Sequence, residues 1–153
     1  MFKYCVWYTV KKTHPVHQMM SKYSSLFKTP RFPPHITIQS KLSKSEAIAT
    51  YNRYLSVDKP VFTPHGHPKI THEVFYNHYR SGQINFYAIE QPLNTNGAYV
   101  EGVHLSLAYR INKTFTPMEL AHTEFVPRIY DTDLSICIMN CESENPEEWE
   151  RVK

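Results

Sequence analysis

Apolar and polar residues alternate from the start of the chain. Tyr4, Val6, Tyr8 and Val10 share one face of an extended segment, with Cys5, Trp7 and Thr9 on the other. This predicts a first strand over Phe2 to Val10, in a stretch rich in aromatic and β-branched residues. The two-residue period recurs in Pro34-His35-Ile36-Thr37-Ile38 and again in Val103-His104-Leu105-Ser106-Leu107. Between these strands the period becomes helical. Val16, Met19, Met20, Tyr23 and Phe27 follow Thr13-His14-Pro15, predicting a helix to about Leu26 with Thr13 as its cap. Pro30, Pro33 and Pro34 then force an extended approach to His35.

Ser43 and Glu46 have capping-box spacing ahead of Ala47, Ile48, Tyr51, Tyr54 and Leu55, which predicts a second helix. Val61 to Ile70, with two prolines and a glycine, reads as loop with short extended pieces. Val74–Tyr79 and Ile84–Ile89 flank Arg80-Ser81-Gly82-Gln83 as a hairpin. Pro92 to Gly97 reads as a turn-rich loop. Thr116 and Glu119 repeat the capping-box spacing, and Pro127 limits that helix to about two turns. Asp133 to Cys141 is a final strand, followed by an acidic tail, Glu142 to Lys153, that carries Trp149. The order predicts an α+β class with mostly antiparallel sheets. One motif strand falls in each half, and neither half is long enough for a secure core, so residues 1–153 are expected to form one domain of two similar lobes.

Composition narrows the function classes. With 41% hydrophobic and 20% charged residues the chain reads as a globular protein. No apolar run approaches the roughly 20 residues that span a bilayer. The N-terminus reads as a strand rather than a signal peptide, so a cytoplasmic protein with no membrane partner is expected. Cys5, Cys137 and Cys141 have neither disulfide-framework nor zinc-ribbon spacing and are expected to be reduced thiols. A net charge of +3 suits a phosphate-bearing ligand but does not argue for duplex DNA. His65-Gly66-His67, His72 and His78 fit no common zinc spacing, so no metal is assigned to them.

The two alternating histidine segments carry the chemistry. Residues i and i+2 of a strand lie roughly 7 Å apart on one face. Each segment therefore buries its Ile or Leu residues and presents one imidazole and one hydroxyl on the opposite face. A single His-x-[Ser/Thr] arises by chance in a chain with nine histidines, and edge-strand histidines facing solvent are the plain alternative. Two such pairs across a groove supply a base, an acid and two hydroxyl donors, a set suited to a phosphodiester without a metal or cofactor. Which histidine is the base stays open at this point.

His35-Ile36-Thr37-Ile38 and His104-Leu105-Ser106-Leu107 resemble the paired HxT/S motifs of the two-histidine (2H) phosphoesterases. Ser106 stands where many members have Thr. The resemblance implies a bilobal, pseudo-symmetric α+β fold with antiparallel sheets around a central groove and helices outside. It also implies metal-free cleavage of nucleotide phosphodiesters, with His35, Thr37, His104 and Ser106 as catalytic residues. The small size, the aromatic first strand and the 69-residue separation of the two histidines look most like the phage anti-CBASS branch. Those proteins cleave host 3′,5′-linked cyclic di- and trinucleotide signals such as 3′3′-cGAMP, and the implied attacking group is the neighbouring ribose 2′-OH.

Bases need flat partners. Trp7, on the non-core face of the first strand, and Trp149, in the polar tail, are therefore candidate substrate-binding residues beside the inward-facing Tyr8. Glu142 is a candidate acceptor for a purine amino group. Lys11, Lys12 and Arg110 are candidate sources of positive potential. Two other readings remain: a 2H enzyme acting on RNA 2′,3′-cyclic phosphate ends or 2′,5′-oligoadenylates, and a non-catalytic module that binds a nucleotide or RNA.

Overall fold

The first alternating segment forms β1 (Tyr4–Val10). The structure, a computed structural model, describes residues 3–77, 82–143 and 146–153, so Phe2 of the expected strand lies outside the described residues. α1 (Val16–Phe27) follows and buries Val16, Met20, Tyr23 and Phe27, a stripe at helical spacing. Burying each such side chain is worth about 1.5–3 kcal/mol. Thr13 does not cap it. The N-cap is Pro15, which has no hydroxyl to offer, and the His14 ring accepts the Val16 N–H through Nδ1 at 3.0 Å.

β2 (His35–Leu42) carries the first motif and leads into α2 (Lys44–Leu55), whose Ser43–Glu46 capping box is fully formed. β3 (Phe62–Pro64) is the extended piece within the proline-rich stretch. β4 (Lys69–Asn77) and β5 (Gly82–Thr95) form the expected hairpin. Of its expected turn, Arg80 and Ser81 lie outside the described residues, as do His78 and Tyr79 of the first arm. Gly82 and Gln83 are already strand, paired with Asn77 and Tyr76.

The expected loop from Pro92 to Gly97 is instead the end of β5 and a tight turn into β6 (Ala98–Ile111). Asn96 and Gly97 have φ of 50° and 84°, the left-handed pair that a two-residue hairpin of this twist requires. Pro92 is tolerated within the strand because it borders an irregularity. Pro92 faces His104 while Asn94 already faces Tyr99, so Val100–Val103 bulge out of the ladder. α3 (Pro117–Ala121) has its Thr116–Glu119 box but only five residues. β7 (Leu134–Asn140) and the short β8 (Glu150–Arg151) complete the chain.

The strands form one antiparallel sheet in the order β3-β5-β6-β2-β1-β7-β8, with β4 also on β5. The fold is α+β. Tyr8, Val10, Ile36, Leu105, Leu107 and Ile136 face the main core together with the buried face of α1. The two motif strands are neighbours and meet at one registered pair, Ile36 opposite Leu105. Both side chains are buried in the core, so the histidines and hydroxyls of both motifs share the other face. Among the described residues no helix is long and apolar enough to cross a membrane.

Candidate active site

The Ile36–Leu105 register builds the site. In an antiparallel pair centred there, His35 stands next to Ser106, and Thr37 next to His104. Each imidazole of one motif thus neighbours the hydroxyl of the other. The two rings are also held in the same way. His35 Nδ1 donates to the Pro33 carbonyl at 2.9 Å, and His104 Nδ1 donates to the Gly102 carbonyl at 2.7 Å. A carbonyl can only accept, so Nδ1 carries the hydrogen in both rings and Nε2 is left for proton transfer. Gly102 sits in the Val100–Val103 bulge at φ 87°, a conformation open to glycine and strained for other residues.

The two motifs differ in exposure. His35 is 5% exposed and Thr37 is open to solvent, whereas His104 is half-buried and Ser106 is 4% exposed. His35 lies flat against Trp7, with ring centroids 3.5 Å apart and planes 12° from parallel. Burial removes the water that would stabilise an imidazolium and lowers the His35 pKa to about 4. The Pro33 carbonyl acts in the opposite sense, and the charge on His104 adds to the lowering. His35 is therefore neutral near pH 7. His104 has a different neighbour: Glu90 Oε1 lies 3.4 Å from its Nε2. Thr71 Oγ1 donates to that same carboxylate oxygen at 3.0 Å.

A wall of rings surrounds His35. Trp149 meets the rings of Trp7, His35 and Tyr109 edge-on at 5.7, 6.3 and 5.8 Å, and Phe32 lies 4.3 Å from Tyr109. Tyr109 reaches this face because of a bulge. Glu90 faces Ser106 and Ile89 faces Ala108, so Leu107 is the extra residue. Leu107 and Ala108 both go to the core, and Tyr109 turns to the side of Ser106. Burial raises the Tyr109 pKa, so its phenol stays protonated beside the Ser106 hydroxyl.

The candidate residues read from the sequence fall in several places. His35, Thr37, His104 and Ser106 come together. Trp7 is on the expected face, but at 2% exposure its ring surface is covered by His35 and offers no platform to a base. Trp149 is packed rather than free: it joins Trp7, Cys137 and Met139, and its indole N–H donates to the Ser143 carbonyl at 2.8 Å. Tyr8 faces the core, as its alternation implied. Glu142 is exposed and pairs with Lys3 at 3.1 Å.

Arg110 points away into a double ion pair with Glu119 and a hydrogen bond to the Phe27 carbonyl. Lys11 pairs with Asp133 at 3.0 Å. Lys12 lines a separate pocket of about 270 Å³ beside the Pro30–Pro34 segment, with Arg31, Phe32 and Leu107. His65, His67 and His72 each have a different ring partner: His65 stacks on Tyr99, His72 stacks on Tyr87, and His67 lies tilted against Phe125. Among the described residues no three His, Cys, Asp or Glu side chains group as metal ligands.

Sequence reasoning missed Glu90, Tyr109 and Phe32. Glu90 follows the apolar run Phe86–Ile89 and carries no motif, and Tyr109 reaches the face of Ser106 only through a bulge that alternation cannot reveal. No family model matches the chain, and no curated protein matches it in sequence.

Proposed function

We propose that this groove is the active site of a metal-independent phosphodiesterase of the two-histidine type, with the two motif strands at the seam of two pseudo-symmetric lobes. The observation that carries the reading is the matched pair of clamps. Each histidine gives Nδ1–H to the carbonyl two residues before it and stands beside the hydroxyl of the other motif. Solvent-facing edge histidines have no need of such pairing.

The asymmetry of the site supports a division of labour. Neutral His35 takes the proton from the attacking ribose 2′-OH through Nε2. The 2′-oxygen bonds to phosphorus, the bond from phosphorus to the 5′-oxygen breaks, and His104 as imidazolium protonates that leaving oxygen. The product is a 2′,3′-cyclic phosphate, which water opens with the two roles exchanged. Thr37 and Ser106 donate to the non-bridging oxygens as charge builds there. Protonated Tyr109 holds the Ser106 hydroxyl. Tyr99 precedes His104 on β6, stacks one face on His65 and is half exposed, so it leaves a base ring surface that Trp7 lacks.

The substrate class that fits best is a 3′,5′-linked cyclic di- or trinucleotide of the kind that signals infection in CBASS defence, with the protein acting in the cytoplasm of the host. The test is incubation in a chelator with a panel of cyclic di- and trinucleotides, read by chromatography. His35→Ala and His104→Ala should each lower turnover by at least about a thousandfold while nucleotide binding persists. Wild-type rates in both variants would sink the assignment. Turnover confined to 2′,5′-oligoadenylates or RNA cyclic-phosphate ends would move the substrate and keep the site, and binding without turnover would make the protein a nucleotide-binding module.

A further inference from the structure

Glu90 is a carboxylate in a groove read as a phosphate site. Its Oε1 lies 3.4 Å from His104 Nε2, Thr71 Oγ1 holds it at 3.0 Å, and its backbone is registered opposite Ser106. The side chain is 19% exposed. A phosphate placed to receive a proton from His104 and a hydrogen bond from Ser106 must therefore lie against this anion.

We propose that Glu90 is a specificity residue that admits phosphodiesters and rejects phosphomonoesters, an inference that rests on the phosphodiesterase reading above. A diester carries one negative charge. A monoester carries close to two at pH 8, because its second proton leaves near pH 6. A fixed carboxylate repels the second charge as well as the first, and in a partly dry groove that repulsion is little screened.

Apart from His104, which pairs with Glu90 only while it carries the proton the reaction uses, the groups around Glu90 among the described residues do not cancel its charge. Thr71 donates one neutral hydrogen bond from β4. Lys69, opposite Glu90 on the same strand, is exposed to solvent. On β6, His104 is the partner whose proton the reaction uses, and the Tyr109 phenol is kept protonated. Arg110 and Lys11 are engaged by Glu119 and Asp133. Mononucleotides, which outnumber signalling diesters in any cell, are then poor ligands, and a product opened to a monoester is expelled.

The test uses probes that the groove can bind but not cleave: the four 2′-deoxynucleoside 3′-phosphates and the four matching deoxydinucleotide diesters. All lack the attacking 2′-OH. Affinities are measured at pH 8 for wild type, Glu90→Gln and Glu90→Asp, with circular dichroism to verify folding. In Glu90→Gln the diester should gain about threefold and the monoester about tenfold. Doubling the charge doubles the free-energy change and so squares the ratio. Glu90→Asp keeps the charge and should keep the wild-type preference.

Equal gains for both probe types, no gain, or identical behaviour of Gln and Asp would overturn the role of Glu90 while leaving the phosphodiesterase reading intact. Failure of all eight probes to bind wild type would instead overturn the phosphate groove itself, and this proposal with it.

Discussion

Folding should be coupled to the protonation of His35 over an acidic window. In the unfolded chain this imidazole titrates near 6.5, whereas burial against Trp7 brings it to about 4 in the folded protein. Between those values the unfolded chain binds a proton that the folded protein refuses. Stability must therefore rise with pH across the window and fall as pH drops from about 6.5 to about 4. At 1.36 kcal/mol per pH unit the gap is worth about 3 kcal/mol, a large share of the 5–15 kcal/mol that holds a typical domain together.

The perturbation is His35→Gln, which keeps a polar side chain and removes the titration. Urea unfolding of wild type and variant from pH 7.5 to 3.5 gives the difference in stability, and comparison at each pH cancels the other eight histidines and the carboxylates. The variant should gain about 3 kcal/mol on wild type between pH 7.5 and 3.5. The His35 ring protons followed by NMR should titrate near pH 4, and the acid limb of kcat/KM should lie there too. A flat difference between wild type and variant, or a His35 titration at pH 6 or above, would refute the claim that burial keeps this imidazole neutral.

Arg110→Ala should cost about 1.5–3 kcal/mol in urea unfolding, because it removes the partner of the half-buried Glu119 and of the Phe27 carbonyl and a cation 4.4 Å from the Phe115 ring. Arg110 also holds the Glu119 carboxyl near pH 2, so the wild-type protein should lose that contribution as pH falls from about 4.5 to 2, and the variant should lack this acid step. Gly97→Ala places a Cβ in open space but at φ 84°. A loss of about 1 kcal/mol, seen as a lower melting temperature, is expected from backbone strain alone.

Local patterns were legible wherever local physics decides the outcome. Both capping boxes, at Ser43 and Thr116, form as the spacing predicts, because each is closed by atoms three residues apart. The Asn96-Gly97 turn is visible for the same reason, but its flanks were misread. Pro92 argues against a strand unless a bulge relieves it, and bulges leave no mark in a two-residue period. α1 shows how a neighbour can replace the expected device, since the His14 ring takes the N–H that a Thr13 cap would have held.

The sequence by itself determined the chemistry available: two imidazoles and two hydroxyls at a spacing that one face of a strand must share, with Ile36 and Leu105 marking which face is buried. Alternation is a property of the backbone and survives any tertiary arrangement. The tertiary structure decided what those groups can do, because a pKa, a register and a neighbouring charge arise only between segments far apart in the chain. Pairing Ile36 with Leu105 put two tripeptides side by side on one face of the sheet, burial against the Trp7 ring kept His35 neutral, and Glu90 came to face His104 from a strand with no motif of its own. The same packing took Trp7 and Trp149 out of the role of open platforms for a base: His35 lies flat on the buried Trp7 ring, and Trp149 is held edge-on against Trp7 with its N–H tied to the Ser143 carbonyl.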